Sequence, residues 1–245
     1  MHLQSVLEYT LLAYSREMGT FTTTTHDVPL TVSRPDSPGE PEHAVVVLQE
    51  AWGVNEHIET ILERLAGAGY LAVAPHLYHR GAQTSFTDFP SAKDALMALD
   101  STSIGEDVRA AVDYSRSEGA DKVGSLGFCM GGTASLWCAA VPLVDSAVTY
   151  YGGGVAEARW DGIAAGTELA AQLQVPWLGH YGDLDPSIPP ESVEQLRATA
   201  SDLARVYRYA DAGHAFNNDT SASHYAPDSA ALAWTRTMEF FTETL

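Results

Sequence analysis

The stretch that decides the fold is VGSLGFCMGG, residues 123–132. The apolar run from Val123 to Leu126 predicts a buried strand, and the small-residue segment from Met130 to Ala140 predicts a helix. Between them lies the pattern Gly-x-Cys-x-Gly, which is typical of a sharp strand-to-helix turn that presents a nucleophile. We therefore predict that Cys129 is a nucleophile at the carboxyl end of a buried strand.

The turn around Cys129 makes demands that the neighbouring residues meet. The residues two positions before and after a nucleophile on such a turn come close together and have to be small, and here they are Gly127 and Gly131. The turn also sets Cys129 at a helix N-terminus, where the dipole and the free N–H groups favour a thiolate. The N–H of Met130 is then expected to point toward a developing oxyanion. These glycines fit neither Gly-x-Gly-x-x-Gly nor a phosphate loop, so nothing here indicates nucleotide binding.

On both sides of this turn, continuous apolar runs alternate with segments of helical period. The predicted strands are Thr22–Thr25 and Val28–Val32 around a turn at His26-Asp27, then Ala44–Leu48, Tyr70–Ala74, Val123–Leu126, Ser146–Tyr150, Val175–His180 and Arg205–Tyr209. The predicted helices are Asn55–Ala68, Ser91–Leu99, Ile104–Glu118, Met130–Ala140, Glu191–Ala200 and Pro227–Phe241. Buried strands separated by helices indicate an α/β fold with a mostly parallel, doubly wound sheet and helices on both faces. We expect one domain over residues 21–245, after an N-terminal leader over residues 1–20 that is helical or poorly ordered.

The composition excludes several classes of partner. The 245 residues include 32 acidic and 13 basic side chains, which give a formal net charge of −19. Such a charge repels the phosphates of nucleic acids and anionic membranes, so neither is an expected partner. We find no secretion signal and no stretch near the roughly 20 apolar residues of a membrane span, so a cytoplasmic protein with reduced thiols is expected. Cys129 and Cys138 should lie on roughly opposite faces of one helix, which argues against a disulfide.

A cysteine nucleophile requires a general base and a group that orients the base. Both are expected on loops beyond the carboxyl ends of strands, where ligands bind in open parallel sheets. His214 follows the last predicted strand, and both Asp183 and Asp185 follow the strand Val175–His180. The chain order of nucleophile, acid and histidine is that of the α/β-hydrolase fold, and either aspartate fits it.

At these residues the sequence closely resembles the dienelactone hydrolase family. The resemblance covers most of the chain from about residue 28 onward. It rests on the blocks Gln49-Glu50-Ala51-Trp52-Gly53, Ala74-Pro75-His76-Leu77-Tyr78-His79-Arg80, Gly127-Phe128-Cys129-Met130-Gly131-Gly132, Tyr150-Tyr151-Gly152, Gly182-Asp183-Leu184-Asp185-Pro186-Ser187-Ile188-Pro189 and Ala212-Gly213-His214-Ala215-Phe216. It implies an α/β-hydrolase that cleaves a small ester or lactone through a Cys-His-Asp triad and an acyl-enzyme, without cofactor or metal.

The resemblance also implies roles for single residues. It favours Asp185 over Asp183 as the acid of the triad. Glu50 matches the family's glutamate that contacts the nucleophile and takes part in its activation, and Ala51 matches the second oxyanion-hole position through its backbone N–H. Arg80 matches an arginine that binds the substrate's carboxylate, a task that suits the bidentate geometry of a guanidinium. The aromatic residues expected to wall the pocket are Trp52, Tyr78, Phe128 and Tyr151.

Two departures from the family pattern loosen the prediction of the substrate. Members with dienelactone activity carry a second carboxylate-binding arginine shortly after the catalytic histidine, where this chain has Asn218 followed by Asp219. The usual aspartate before Leu-Tyr is His76. His76 and His79 lack a third ligand spaced to complete a metal site, so none is expected. The resemblance therefore supports the fold and the reaction class more strongly than it supports a dienelactone as the substrate.

Three other functions fit parts of the sequence. One is a non-catalytic binding protein of the same fold, against which the complete triad argues. Another is a redox sensor that uses Cys129, which would need a resolving cysteine, although Cys138 is expected to face away. The third is a different hydrolase of the same fold, such as a thioesterase or a peptidase-like enzyme. The sequence carries no signal of oligomeric state.

Overall fold

The computed structural model describes residues 19–36 and 39–245, and it shows eight strands and seven helices in them. The strands are β1 Thr20–Thr25, β2 Val28–Ser33, β3 His43–Leu48, β4 Leu71–Pro75, β5 Lys122–Phe128, β6 Ser146–Tyr150, β7 Trp177–Gly182 and β8 Ala204–Tyr209. The helices are α1 Glu56–Gly67, α2 Phe89–Met97, α3 Ser101–Ser117, α4 Met130–Ala140, α5 Gly166–Ala171, α6 Pro190–Thr199 and α7 Pro227–Thr244. All the predicted strands and helices are present, with small shifts at their ends.

Two parts of the sequence-based description need comment. The helix α5 is not among the predicted elements, because its six residues are too few to show a helical period. Residues 1–18 of the predicted leader lie outside the described residues, and Thr20 already belongs to β1. The predicted turn at His26-Asp27 joins β1 to β2, and both residues have a positive φ, 51° and 63°, as a tight hairpin turn requires.

The sheet is mostly parallel, as predicted. The strand order is β1-β2-β4-β3-β5-β6-β7-β8, in which β1, β2 and β4 pair antiparallel and all other neighbours pair parallel. Every residue of the inner strands β4, β6 and β7 is buried, whereas the edge strands β1 and β8 are partly exposed. A parallel sheet buried in this way has to be covered on both faces, which explains the continuous apolar runs.

The direction of the chain assigns the helices to the two faces. The crossover from β3 to β4 runs toward one edge of the sheet, and the later crossovers run toward the other. Because parallel crossovers are right-handed, α1 lies on one face, and α3 and α4 lie on the opposite face. The guanidinium of Arg64 on α1 lies 3.8 Å from the ring centroid of Trp234 on α7, so α7 shares the face of α1. Among the helices that the structure describes, none has the length and apolar character required to cross a membrane.

Candidate active site

Four of the residues singled out from the sequence lie at the carboxyl end of the sheet. Glu50 follows β3, Cys129 follows β5, Asp185 follows β7, and His214 follows β8. These strands are parallel neighbours or near neighbours, so their carboxyl ends open on the same side of the molecule. Loops at the carboxyl ends of the strands are the usual place for ligand binding in such sheets.

The turn at Cys129 is strained in the way that the glycine pattern predicts. Cys129 has φ 53° and ψ −116°, a conformation that a residue with a side chain rarely adopts. Its N–H donates to the carbonyl oxygen of Tyr150 at 3.0 Å. A Cβ atom on Gly127 would overlap the carbonyl of Gly131, and one on Gly131 would overlap the carbonyl of Leu48. Both glycines are thus required, the first by the turn itself and the second by the close approach of β3.

The imidazole of His214 is bonded to Asp185 and not to Asp183. The distance from His214 Nδ1 to Asp185 Oδ2 is 2.6 Å. The other carboxylate oxygen of Asp185 accepts from the backbone N–H of Ser187 at 2.8 Å and from its hydroxyl at 2.6 Å. Asp183 instead forms a bidentate ion pair with Arg208, at 2.7 and 2.8 Å. The two aspartates that the sequence leaves in competition therefore have different partners.

The charges around His214 favour its protonated form. Burial by itself would lower the pKa of His214, but its hydrogen bonds to Asp185 and to the thiol of Cys129 outweigh burial and raise that pKa to about 10. For Asp185 the balance runs the other way. Burial would raise the pKa of its carboxyl group, but the His214 and Ser187 contacts dominate and lower it. The arrangement therefore suits an imidazolium held between a carboxylate and the sulfur of Cys129.

The two residues that the sequence nominates for an oxyanion hole, Met130 and Ala51, line the same cavity as Cys129. Met130 is the first residue of α4, and Ala51 follows β3, and in the described part of the chain no group accepts a hydrogen bond from either N–H. The hydroxyl of Tyr78 donates to the Ala51 carbonyl at 3.2 Å, and the N–H of Gly131 donates to the Gln49 carbonyl at 3.1 Å. These bonds tie the two halves of the candidate oxyanion hole together.

Glu50 is almost fully buried where it lines the same cavity as Cys129, and one of its carboxylate oxygens has a hydrogen-bond partner. Its Oε2 atom accepts from the side-chain amide of Asn218 at 3.2 Å. The orientation of that amide is fixed, because its oxygen accepts from the backbone N–H and the hydroxyl of Thr220. The Oε1 atom of Glu50 and the hydroxyl of Tyr151 are both buried without a hydrogen-bond partner among the described residues. Burial raises the pKa of the Glu50 carboxyl group, although the His214 charge opposes that shift.

A cavity of about 1020 Å³ opens over Cys129 and His214. Of the aromatic residues that the sequence nominates for its wall, Trp52 does line it. Tyr78, Phe128 and Tyr151 are instead buried behind the wall, where their rings pack against the lining residues Phe86, His57 and His214, respectively. The apolar wall consists mainly of residues that the sequence does not single out: Phe86, Phe89, Leu96, Met97 and Trp160. Phe89 and Met97 are the two ends of α2, and more than half of each side chain is exposed.

Arg80 does not reach this cavity. Its guanidinium donates to Asp107 at 2.9 Å and to Glu106 at 2.9 Å, both on α3. It borders a separate cleft of about 450 Å³, which it shares with His79. The resemblance implies that Arg80 binds substrate beside Cys129, but the structure does not bring these two residues together. Among the described residues, the arginine that lines the cavity is Arg159, on the loop after β6, and no sequence motif points to it.

The remaining residues raised by the sequence have local partners. The Nε2 atom of His76 is 2.8 Å from the Thr31 hydroxyl, and the Nε2 atom of His79 is 3.1 Å from Asp107. Cys129 and Cys138 are both free thiols. Burial raises the pKa of the Cys138 thiol to about 12, so this second cysteine is poorly suited to a thiol–disulfide reaction.

Known proteins have sequences and folds similar to those of this chain. The sequence matches the dienelactone hydrolase family over residues 29–245. A protein from Escherichia coli O157:H7 is 37% identical over 223 residues, which cover 88% of this chain and 82% of that protein. A carboxymethylenebutenolidase from Pseudomonas putida is 32% identical over 210 residues, covering 82% of this chain and 85% of its own. A crystal structure from Klebsiella pneumoniae subsp. pneumoniae is 33% identical with a TM-score of 0.80, covering 91% of this chain and 97% of that chain.

Proposed function

The chain belongs to the dienelactone hydrolase family and is a carboxylic ester or lactone hydrolase, and on that premise we propose that Cys129, His214 and Asp185 form its catalytic triad. The observation that carries this proposal is the 2.6 Å contact between Asp185 and His214, whose imidazole lines the same cavity as the thiol of Cys129. The proposed substrate is a small-molecule ester or lactone.

The reaction proceeds in two stages. In the first, the Cys129 sulfur attacks the carbonyl carbon of the ester, and the N–H groups of Met130 and Ala51 donate to the oxyanion that forms. His214, protonated after taking the thiol proton, gives that proton to the departing alkoxide, and the acyl group remains on sulfur. In the second stage, His214 removes a proton from water, which attacks the thioester carbonyl. The C–S bond then breaks, the acid is released, and the proton returns from His214 to the sulfur of Cys129. Asp185 holds the imidazole in position throughout and stabilises its positive charge.

Glu50 is proposed to hold a proton close to the thiol. Its Oε1 atom is buried at the site, and burial raises the pKa of the carboxyl group, which favours its protonated form. The protonated carboxyl group can give its proton to a neighbouring thiolate, and the ionised carboxylate can take the proton of a neighbouring thiol, so Glu50 can exchange a proton with Cys129 when substrate enters.

Glu50→Gln tests this role, because glutamine keeps the shape and cannot release a proton. We expect kcat/KM for p-nitrophenyl acetate to fall by about 100-fold, at the lower end of general acid–base effects. The matched control is Glu59→Gln, an exposed carboxylate on the first turn of α1 that does not line the cavity. Its activity should stay close to that of the wild type. A Glu50→Gln enzyme with the wild-type rate and pH profile would show that Glu50 has only a packing role.

The acyl-enzyme is tested by trapping it. We expect p-nitrophenyl pivalate, whose hindered acyl group slows the water step, to release a burst of p-nitrophenolate equal to the enzyme concentration. Acid quenching and peptide mass spectrometry should then locate the pivaloyl group on Cys129. Steady turnover of this ester with neither a burst nor an acylated Cys129 would contradict the proposed mechanism.

A further inference from the structure

One cation stands at the cavity with no carboxylate partner. The exposed guanidinium of Arg159 lines the cavity, and in the described part of the chain Arg159 makes no ion pair. Arg64, Arg109 and Arg236 likewise make no ion pair among the described residues, but none of them lines the cavity. Six other arginines are paired with carboxylates: Arg34, Arg80, Arg116, Arg197, Arg205 and Arg208.

The local structure gives the guanidinium a defined place. A Cβ atom on Gly153 would lie 2.9 Å from Arg159 Nη1, so the guanidinium lies against a stretch of backbone where a side chain is missing. The Gly153 carbonyl accepts from the Thr133 hydroxyl at 2.8 Å, which ties this loop to α4, the helix that begins after Cys129. The adjacent Trp160 donates to the Leu96 carbonyl at 3.0 Å and ties the loop to α2.

The two positions at which the family pattern places carboxylate-binding arginines are not available here. Arg80 is outside the cavity and is bonded to Asp107 and Glu106. The second position is Asn218, which is uncharged and already donates to Glu50. If the enzyme selects an anionic substrate, the positive charge has to come from another residue that lines the cavity.

Most of the remaining surface of the cavity is apolar, although the carboxylate of Glu56 and several uncharged polar side chains also line it. Phe86, Leu96, Met97 and Trp160 form its wall, and its volume of about 1020 Å³ lies at the upper end of the roughly 300–1,000 Å³ typical of ligand pockets. A small lactone would leave much of this apolar wall in contact with water. A bulky apolar group would cover it and would leave a single charged group of the substrate to be matched.

We propose that Arg159 is the specificity-determining residue of this enzyme, and that it binds the carboxylate of an ester or lactone that also carries a bulky apolar part. The planar fork of a guanidinium forms two parallel hydrogen bonds with a carboxylate, which favours this anion over a neutral polar group. The inference rests on the proposed function, since it concerns the substrate of the same cavity.

A pair of esters that differ in one charge tests the proposal. The p-nitrophenyl ester of hexanoic acid and the p-nitrophenyl monoester of adipic acid have acyl chains of the same length, and the second ends in a carboxylate. We expect the wild type to prefer the adipate monoester. Arg159→Gln should lower kcat/KM for that ester by about 10- to 100-fold, as expected for loss of a charge-assisted hydrogen bond. Activity on the hexanoate ester should change little, and Arg159→Lys should restore part of the preference.

Two further variants show whether the effect belongs to this position. Arg116→Gln removes an exposed arginine whose contact with Asp145 is long, 3.4 Å, and should leave both esters unaffected. Arg80→Gln tests the position that the resemblance implies. Loss of the adipate preference in Arg80→Gln but not in Arg159→Gln would overturn the proposal, as would a wild type with no preference for the charged ester.

A binding measurement separates this proposal from the catalytic one. In Cys129→Ala, adipic acid monoamide should bind more tightly than hexanamide by titration calorimetry, and Arg159→Gln in that background should remove the difference. Equal binding of the two amides would overturn the role of Arg159 even if the esters are hydrolysed through Cys129. Conversely, selective binding without Cys129-dependent hydrolysis would leave Arg159 as the anion site and contradict the proposed triad.

Discussion

Replacing Cys129 with alanine is expected to lower kcat/KM for p-nitrophenyl acetate by roughly 10⁴- to 10⁶-fold, the range found when a triad nucleophile is removed. The reason is that, among the described residues, Cys129 supplies the thiol that lines the cavity, whereas the nearby Ser187 hydroxyl already donates to Asp185. The residual rate would come from water that is activated by His214 and from the N–H groups of Met130 and Ala51. Steady-state kinetics will measure the loss, and a mock purification will show how much esterase activity comes from contaminating proteins.

The control for this variant is the other cysteine of the chain. Cys138 lies on the same helix, is fully buried, and is far too weakly acidic to replace Cys129. Cys138→Ala should therefore keep wild-type kcat/KM, with a lower melting temperature because it leaves a small cavity. A Cys129→Ala enzyme that is folded by circular dichroism and still turns over the ester at the wild-type rate would show that another group is the nucleophile.

The turn that carries Cys129 is predictable because its determinants are local. The strand, the two glycines and the small-residue helix are consecutive in sequence, and each restricts the backbone directly. The structure adds one reason that the sequence does not contain. Gly131 is required by the carbonyl of Leu48, a residue that is remote in sequence and comes close only because β3 and β5 are neighbours in the sheet.

The cavity could not be predicted in the same way. Phe89 and Met97 end a helix that shows an ordinary apolar period, and an exposed apolar residue on a helix has no motif that marks it as a pocket wall. Arg80 illustrates the opposite problem. Arg80 matches the family because the residues just before it in sequence match. The position of its guanidinium, however, is set by its ion pairs with Asp107 and Glu106 on α3. Partners of this kind are visible only when the chain is folded.

The choice between Asp183 and Asp185 depends on a residue of a neighbouring strand. Both follow β7, two positions apart, and both fit the chain order of the triad. Arg208 on β8 binds Asp183 with two hydrogen bonds, and this leaves Asp185 for His214. The arginine in β8 is therefore a signal that could be used in related sequences, provided that the pairing of β7 with β8 is known.

Exchange of each aspartate for asparagine should separate the two roles. Asp185→Asn is expected to lower kcat by about 10³- to 10⁴-fold, because an amide cannot stabilise the imidazolium and can favour the wrong tautomer of His214. Asp183→Asn breaks the ion pair with Arg208 and should reduce thermal stability modestly while kcat stays near that of the wild type. Stopped-flow and steady-state assays with p-nitrophenyl acetate, together with thermal melts, measure both effects.

We also expect the pKa of His214 to differ between these two variants. The contact with Asp185 is one of the interactions that raise the pKa of His214 to about 10 against the opposing effect of burial. Removing the carboxylate leaves burial less opposed, so the pKa of His214 should fall, and the imidazolium should disappear at a lower pH than in the wild type. An NMR titration of the His214 ring should show this lower midpoint in Asp185→Asn and an unchanged midpoint in Asp183→Asn. If Asp183→Asn instead shifts the midpoint and abolishes turnover, the acid of the triad is Asp183, and the contact between Asp185 and His214 is not the catalytic one.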